Sequence, residues 1–160
     1  MAISVGDEIP DVTLWMSTDD GLQPVQSLEV LGTGKVVLVG VPGAFTPTCS
    51  DHHLPGFVLR SEELTAKGVD TIACIATNDA FVMGAWGRAS GADGKVLMLA
   101  DGNSQFTTEM GLPFDLSMLG LGTRSRRYAA IIEDGTVTHL GVEEGRGVDV
   151  SSVESILAQL

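Results

Sequence analysis

Residues 35–57, KVVLVGVPGAFTPTCSDHHLPGF, join a continuous apolar run to a proline-rich segment that contains a cysteine. The run at 35–41 is rich in β-branched residues, which is typical of a strand that is buried on both faces. Pro42 and Gly43 then end the run. The stretch therefore predicts a central strand of a layered sheet, followed at once by a turn into a helix.

Two further runs of the same kind follow, at 70–76 and 95–101. Between them, the pattern of apolar residues after Asp79 predicts a helix with that aspartate as its N-cap. The sequence at 126–142 carries an Asp-Gly pair between β-rich segments, which predicts a hairpin.

The last ten residues, SSVESILAQL, predict a closing helix, with Ser151 and Glu154 at capping-box spacing. Strands alternate with helices before the hairpin and this last helix. This order predicts an α/β fold in one domain, residues 1–160, with a mixed central β-sheet flanked by helices. Functional sites in such sheets gather where strands turn into helices.

Composition excludes several classes of function. The 160 residues carry a net charge of −12, with only nine lysines and arginines, which argues against a nucleic-acid surface. The apolar runs are far shorter than the roughly 20 residues that cross a bilayer. The N-terminal segment, with its turn signal at 19–21, lacks the pattern of a targeting leader, so we expect a cytoplasmic protein.

The two cysteines, Cys49 and Cys74, are too few for a disulfide framework. For Cys49, the spacing predicts a helix with Thr46 as N-cap, Pro47 at N1 and the cysteine at N3. The first turn of a helix has unpaired N–H groups and a partial positive charge, and both favour a thiolate. A reactive thiolate is thus one interpretation of Cys49, and a small buried apolar residue is the other. We expect Pro55 to kink or end this helix.

Neighbouring residues leave a metal site open and disfavour two other thiol chemistries. His52 occupies the position that a Cys-x-x-Cys oxidoreductase would fill with its second cysteine. Neither His52 nor His53 is well placed to face the sulfur as the base of a Cys-His protease. Both histidines would instead share a helix face with Cys49 as metal ligands.

Several motifs resemble one known family. PGAFTPTCS at 42–50 and HLPGF at 53–57 resemble the active-site signature of the peroxiredoxins, specifically the type II (peroxiredoxin-five) subfamily. The segments at 67–88, 97–106 and 124–137 also resemble that subfamily in order and spacing. The resemblance implies a thioredoxin-fold enzyme that reduces hydrogen peroxide and organic hydroperoxides without a metal, haem or flavin cofactor.

The resemblance also implies roles for individual residues. Cys49 corresponds to the peroxidatic cysteine, which attacks the peroxide and becomes a sulfenic acid. Thr46 corresponds to the threonine that bonds the thiolate or peroxide, and Pro42 to the proline that shields the pocket from water. Arg127 corresponds to the arginine that completes the site.

By charge pattern alone, Arg127 belongs to a basic cluster with Arg124 and Arg126, which is typical of a solvated patch. Within the implied site, its guanidinium would instead favour the thiolate and stabilise charge on the leaving oxygen. The two interpretations differ in whether Arg127 is exposed.

The return of the sulfenic acid to a thiol leaves alternatives open. Cys74 lies in a predicted strand, where cysteine is a common apolar residue, although relatives in the subfamily sometimes pair it in a disulfide. No cysteine follows Cys74, so we favour an external thiol as reductant, glutathione with glutaredoxin or thioredoxin. The alternatives are an internal Cys49–Cys74 disulfide and a non-catalytic thioredoxin-fold protein for redox sensing or binding.

The resemblance further implies a homodimer that forms through loops around the active site. Phe45, Phe81 and the loop at 116–122 are apolar enough to contribute to such an interface.

Overall fold

The computed structural model describes all 160 residues as nine strands and six α-helices. The strands are β1 (Thr13–Thr18), β2 (Gly21–Gln26), β3 (Lys35–Gly40), β4 (Thr71–Ala76), β5 (Leu97–Ala100), β6 (Pro113–Asp115), β7 (Thr123–Ser125), β8 (Tyr128–Glu133) and β9 (Thr136–Val142). The helices are α1 (Ser27–Leu31), α2 (Leu54–Leu59), α3 (Ser61–Ala66), α4 (Ala80–Ala89), α5 (Gln105–Glu109) and α6 (Val153–Leu157). A π-helical turn (Cys49–His53) precedes α2, and a 3₁₀ turn (Ser117–Leu119) lies between β6 and β7.

Seven strands form one mixed sheet in the order β2-β1-β5-β4-β3-β8-β9. β3 pairs in parallel with β4 and antiparallel with β8, and β5 is parallel to β4. The predicted run at 35–41 is thus an interior strand, because each of its edges is hydrogen-bonded to a neighbour. The predicted α/β fold with a mixed central sheet is confirmed.

The two faces of the sheet bury separate apolar clusters. Along β3, Val37 and Val39 face one cluster, while Val36 and Leu38 face the other, as the two-residue period of a strand requires. The first cluster, which we call the helix-side core, also contains apolar residues of α2, α4 and α6 together with both cysteines. The cysteine segment is therefore anchored in the larger of the two apolar clusters.

The helix that carries Cys49 passes through Pro55 instead of ending there. It is helical from 47 to 59, and the residues 49–53 form a π-helical turn in which the Leu54 N–H donates to the Cys49 carbonyl. A proline in a regular α-helix removes one hydrogen bond and clashes with the carbonyl four residues earlier. The change from the wider π-helical turn to the regular helix α2 falls beside Pro55, and the helix continues to Leu59. The predicted end at this residue is wrong, and the kink stays a prediction.

The predicted caps differ in outcome. The Asp79 carboxylate accepts a hydrogen bond from the Val82 N–H at the start of α4, as predicted. At α6 the cap is Ser152, which accepts from the Ser155 N–H, and the predicted cap at Ser151 is wrong. The reason is that the Ser151 hydroxyl donates to Glu143.

The hairpin predicted at 126–142 is confirmed: β8 and β9 pair antiparallel, with Asp134 and Gly135 between them, both at positive φ. The N-terminal hairpin of β1 and β2 was not predicted beyond its turn at 19–21. No helix in the structure is long and apolar enough to cross a membrane.

Candidate active site

Cys49 lies just beyond the carboxyl end of β3, in the first turn of the helix that follows. The Ser50 N–H donates to the Thr46 carbonyl at 2.9 Å, which is the first α-helical bond after an N-cap. Pro47 and Thr48 are the first helical residues, so Cys49 occupies N3 as the spacing predicts. Its side chain is completely buried in the helix-side core.

Arg127 reaches the sulfur of Cys49. Gly40, the last residue of β3, pairs with Tyr128, the first residue of β8, so that Arg127 lies beside the chain that leaves β3. Its Nη2 donates to Cys49 Sγ at 3.1 Å, and only 8% of the residue is exposed. The interpretation of Arg127 as part of a solvated patch is therefore wrong.

The loop at 42–46 is held by Asn78 and Arg124, for which the sequence predicts no role in the site. The Asn78 side chain accepts a hydrogen bond from the Ala44 N–H at 2.8 Å. Arg124 donates to the carbonyls of Pro42 and Leu121. Asn78 lies two residues beyond the carboxyl end of β4, at the edge of the sheet where functional sites gather, and that position is the signal that points to it.

Thr46 and Pro42 lie in this loop but make no hydrogen bond to Cys49. The Thr46 hydroxyl donates to the Gly43 carbonyl at 2.7 Å. Between them, Phe45 has φ of 63°, a left-handed conformation that is uncommon for a residue other than glycine. The structure thus brings Cys49 and Arg127 into contact and places Thr46 and Pro42 on the adjoining turn.

His53 makes a contact that the sequence analysis missed. Arg127 Nη1 lies 2.9 Å from His53 Nδ1, and His53 Nε2 lies 2.8 Å from the Ser151 carbonyl. Burial lowers the pKa of His53 to about 4; the hydrogen bond to Ser151 opposes this shift, and the charge of Arg127 adds to it. No sequence pattern indicates the contact with Arg127, because the two residues are far apart in the chain.

The structure does not assemble the metal site that the sequence left open. Both ring nitrogens of His53 have partners, and His52 is exposed. The structure has no group of three or more histidine, cysteine, aspartate or glutamate side chains placed to hold a metal ion.

Cys74 lies in β4, next to β3, with Val39 as its partner in register. Both cysteines are free thiols and both are buried. Burial raises the pKa of the Cys74 thiol, because the interior disfavours a thiolate. A buried thiol of this kind is a poor nucleophile.

A family model described as Redoxin matches residues 4–157 of this chain. Among curated proteins, peroxiredoxin-2E-2 from Oryza sativa subsp. japonica is 51% identical over 99% of this chain and 72% of that protein. Peroxiredoxin-2D from Arabidopsis thaliana is 46% identical over 99% of this chain and 98% of that protein. This chain belongs to the type II peroxiredoxins.

A solved structure supports the same assignment within the peroxiredoxin family. Reduced Prx3 from Vibrio vulnificus, in complex with hydrogen peroxide, is 49% identical and superposes with a TM-score of 0.94 over 98% of each chain. The predicted thioredoxin fold and family are confirmed, and the chain is a thiol-dependent peroxidase, an oxidoreductase. The cytoplasmic location stays a prediction, because the rice relative is described as chloroplastic.

Proposed function

We propose that this peroxiredoxin reduces hydroperoxides through a sulfenic acid on Cys49, with Arg127 as the residue that supports the thiolate. The hydrogen bond from Arg127 Nη2 to Cys49 Sγ carries the proposal. A guanidinium is always charged, so this donor favours the thiolate over the thiol. The helix start at Cys49 acts in the same direction.

The proposed step transfers two electrons from sulfur to peroxide. The Cys49 thiolate attacks the terminal hydroxyl oxygen of the hydroperoxide, an S–O bond forms and the O–O bond breaks. Sulfur is oxidised to sulfenic acid, and the leaving oxygen departs as alkoxide or hydroxide and takes up a proton. Arg127 and the N–H groups of the first helical turn are donors for this developing charge.

Substrate access depends on the loop at 42–46, since Cys49 is completely buried. In our proposal Pro42 limits the entry of water, and Thr46 turns its hydroxyl from the Gly43 carbonyl to the thiolate or peroxide. Phe45, with its left-handed φ of 63°, lies in the same loop, and we propose that the loop shifts there to admit the substrate.

An external thiol is the proposed reductant of the sulfenic acid. A thiol such as glutathione condenses with it to a mixed disulfide and water, and a second thiol, from glutathione, glutaredoxin or thioredoxin, releases Cys49. Cys74 is fully buried in a central strand and its raised pKa disfavours attack. This argues against the internal Cys49–Cys74 disulfide.

We expect Cys49→Ser to abolish peroxide consumption and Cys74→Ser to retain it. The measurement is the disappearance of hydrogen peroxide with either glutathione and glutaredoxin or thioredoxin as reductant. After one equivalent of peroxide without reductant, the intact mass should show oxygen on Cys49 while Cys74 remains a free thiol.

Turnover by the Cys49→Ser variant would overturn the role of Cys49. A mass lower by two hydrogens, with the two cysteines linked, would overturn the external thiol and favour the internal disulfide.

A homodimer through the active-site loops is also part of the proposal. Exposed apolar side chains gather around the site: Phe45, Phe81, Met118 and Leu119. The ring of Phe45 packs 6.5 Å from that of Trp86 in α4, and Arg124 ties the segment after Met118 and Leu119 to Pro42. A surface of this kind, beside a thiol site, is typical of a protein interface.

A further inference from the structure

Behind Cys49 lies a buried chain of hydrogen bonds that starts at Arg127. One terminal nitrogen of the guanidinium contacts Cys49 Sγ at 3.1 Å, and the other contacts His53 Nδ1 at 2.9 Å. His53 is only 1% exposed, and its ring lies edge-on to that of Phe57, with centroids 5.8 Å apart. Solvent therefore cannot replace either partner of the arginine.

The partners of His53 determine its tautomer. A guanidinium can only donate, so Nδ1 has to accept, and a carbonyl can only accept, so Nε2 has to donate to Ser151. A protonated imidazole has no acceptor and would break the contact with Arg127. The arrangement thus requires the neutral ring with its proton on Nε2.

The far end of the chain is fixed by Glu143. One carboxylate oxygen, Oε2, accepts hydrogen bonds from the N–H and the hydroxyl of Ser151, at 2.8 and 2.7 Å, and from the Asp149 N–H at 2.8 Å. Burial raises the pKa of the Glu143 carboxyl, but these hydrogen bonds outweigh it and the net pKa is lowered. The carboxylate is therefore ionised at neutral pH and holds the Ser151 carbonyl in place.

The same glutamate also holds the backbone of Arg127, because the Glu143 N–H donates to the Arg127 carbonyl at 2.9 Å. Arg127, Glu143, Ser151 and His53 thus form a closed ring of contacts that returns to the arginine side chain. The direction of the guanidinium is fixed at both its backbone and its tip.

We infer that His53 is a positioning residue of the active site, whose Nδ1 holds the Arg127 guanidinium so that Nη2 faces the Cys49 sulfur. The inference rests on the proposed function of Cys49. The charged and titratable groups around the imidazole are Arg127, Glu143 and Cys49. Without the acceptor on His53, Arg127 keeps its charge but loses the contact that orients its planar guanidinium.

Three substitutions of His53 distinguish the role of the Nδ1 acceptor from that of the Nε2 donor. Asparagine places a carbonyl oxygen near the position of Nδ1, glutamine places an amide nitrogen near Nε2, and leucine offers neither. His52→Asn is the matched control, since His52 is the exposed neighbour on the same helix. Arg127→Lys, which retains the positive charge but lacks the two terminal nitrogens of the guanidinium, serves as the positive control for a misplaced donor.

The readouts are the rate of Cys49 oxidation by hydrogen peroxide and the pH profile of Cys49 alkylation by iodoacetamide. A misplaced catalytic group costs up to about 100-fold in rate. We therefore expect His53→Leu and His53→Gln to react about 10–100-fold more slowly, with alkylation profiles displaced to higher pH. His53→Asn should recover most of the rate and the profile, and His52→Asn should match the wild type.

Near-UV circular dichroism identifies the variants that fold, and a merely structural role would not displace the alkylation profile of a folded variant. A folded His53→Leu or His53→Gln variant with wild-type rate and profile would overturn the inference. If leucine prevents folding, an asparagine variant as impaired as the glutamine variant would overturn it. A wild-type Cys49 that oxidises no faster than a free thiol would instead refute the proposed function.

Discussion

At the scale of single residues, His53 is a histidine that the fold keeps uncharged. Burial lowers its pKa to about 4 in the folded protein, against about 6.5 in the unfolded chain. Between these two pH values the unfolded chain binds a proton that the folded protein excludes. Stability therefore rises with pH across this window, and the contribution is complete above about pH 6.5.

We expect His53→Asn to remove this pH dependence. A shift of about 2.5 pKa units corresponds to about 3 kcal/mol. Between about pH 7 and pH 4, the unfolding free energy of the wild type should thus fall by about 3 kcal/mol more than that of the variant. Urea unfolding of the wild type and the variant across that range measures the difference.

His52→Asn is the control and should show the same pH dependence as the wild type, because its side chain is exposed. Parallel stability curves for the wild type and His53→Asn would contradict the prediction.

The residues of the site differ in how far the sequence alone could place them. Cys49 at N3 was predictable because its N-cap, N1 residue and sulfur lie within four positions, and local helix rules apply. The contact between His53 and Arg127 joins residues 74 positions apart, and only the sheet register brings them together. The charge pattern alone placed Arg127 in solvent, and the family resemblance corrected this.

At the scale of elements, the end of β3 depends on a glycine. Gly40 pairs with Tyr128 across β3 and β8, and a Cβ at residue 40 would overlap the ring of that tyrosine. Tyr128 is fully buried and follows Arg127 directly, so the ring cannot turn aside without moving the arginine. The close approach of β3 and the Tyr128 ring thus supports the site next to it.

We expect Gly40→Ala to destabilise the protein by about 1–3 kcal/mol, the usual cost of overpacking a core. It should also slow Cys49 oxidation, since the displaced ring shifts Arg127. Urea unfolding and the rate of reaction with hydrogen peroxide measure the two effects. The control is Gly145→Ala, where a Cβ meets no atom within 4 Å and φ is not positive.

If Gly40→Ala were as stable as Gly145→Ala, the prediction that the Tyr128 ring leaves no room for a Cβ would be wrong. If Gly40→Ala lost stability but Cys49 oxidised at the wild-type rate, the end of β3 would not influence the position of Arg127.

Element boundaries were harder to predict than elements. Local rules predict that Pro55 ends the helix, yet a π-helical turn precedes the proline and the helix continues to Leu59. At α6, both Ser151 and Ser152 suit an N-cap, and the distant Glu143 decides between them by binding Ser151. In both cases a contact or geometry outside the local pattern determined the boundary.

At the scale of the whole molecule, the centre of the sheet was predictable and its edge was not. β3, β4 and β5 are nearly continuous apolar runs rich in β-branched residues or bounded by turn signals, and such runs are typical of buried strands. β2 at the edge is exposed for most of its length and has no alternation of apolar residues, so the pattern carried no signal for it. The interior strands alone were enough to place Cys49 at the carboxyl end of the sheet.

The proposed dimer is a property of the whole molecule, and it predicts which exposed side chains matter. Phe81 and Met118 are 63% and 91% exposed and lie on the segments around the active site. Leu59, at the end of α2, is 82% exposed but belongs to neither segment, which makes it the matched control. A charge buried in an interface without a partner is strongly unfavourable.

We therefore expect the wild type and Leu59→Asp to sediment as dimers at micromolar concentration, and Phe81→Asp and Met118→Asp to sediment as monomers. Sedimentation velocity over a range of protein concentrations measures the mass of each. Because Arg124 links the segment around Met118 to the loop before Cys49, dissociation should also loosen that loop and alter the rate of Cys49 oxidation.

A wild type that stays monomeric at every concentration would refute the dimer. Dissociation caused equally by Leu59→Asp would place the interface elsewhere on the molecule.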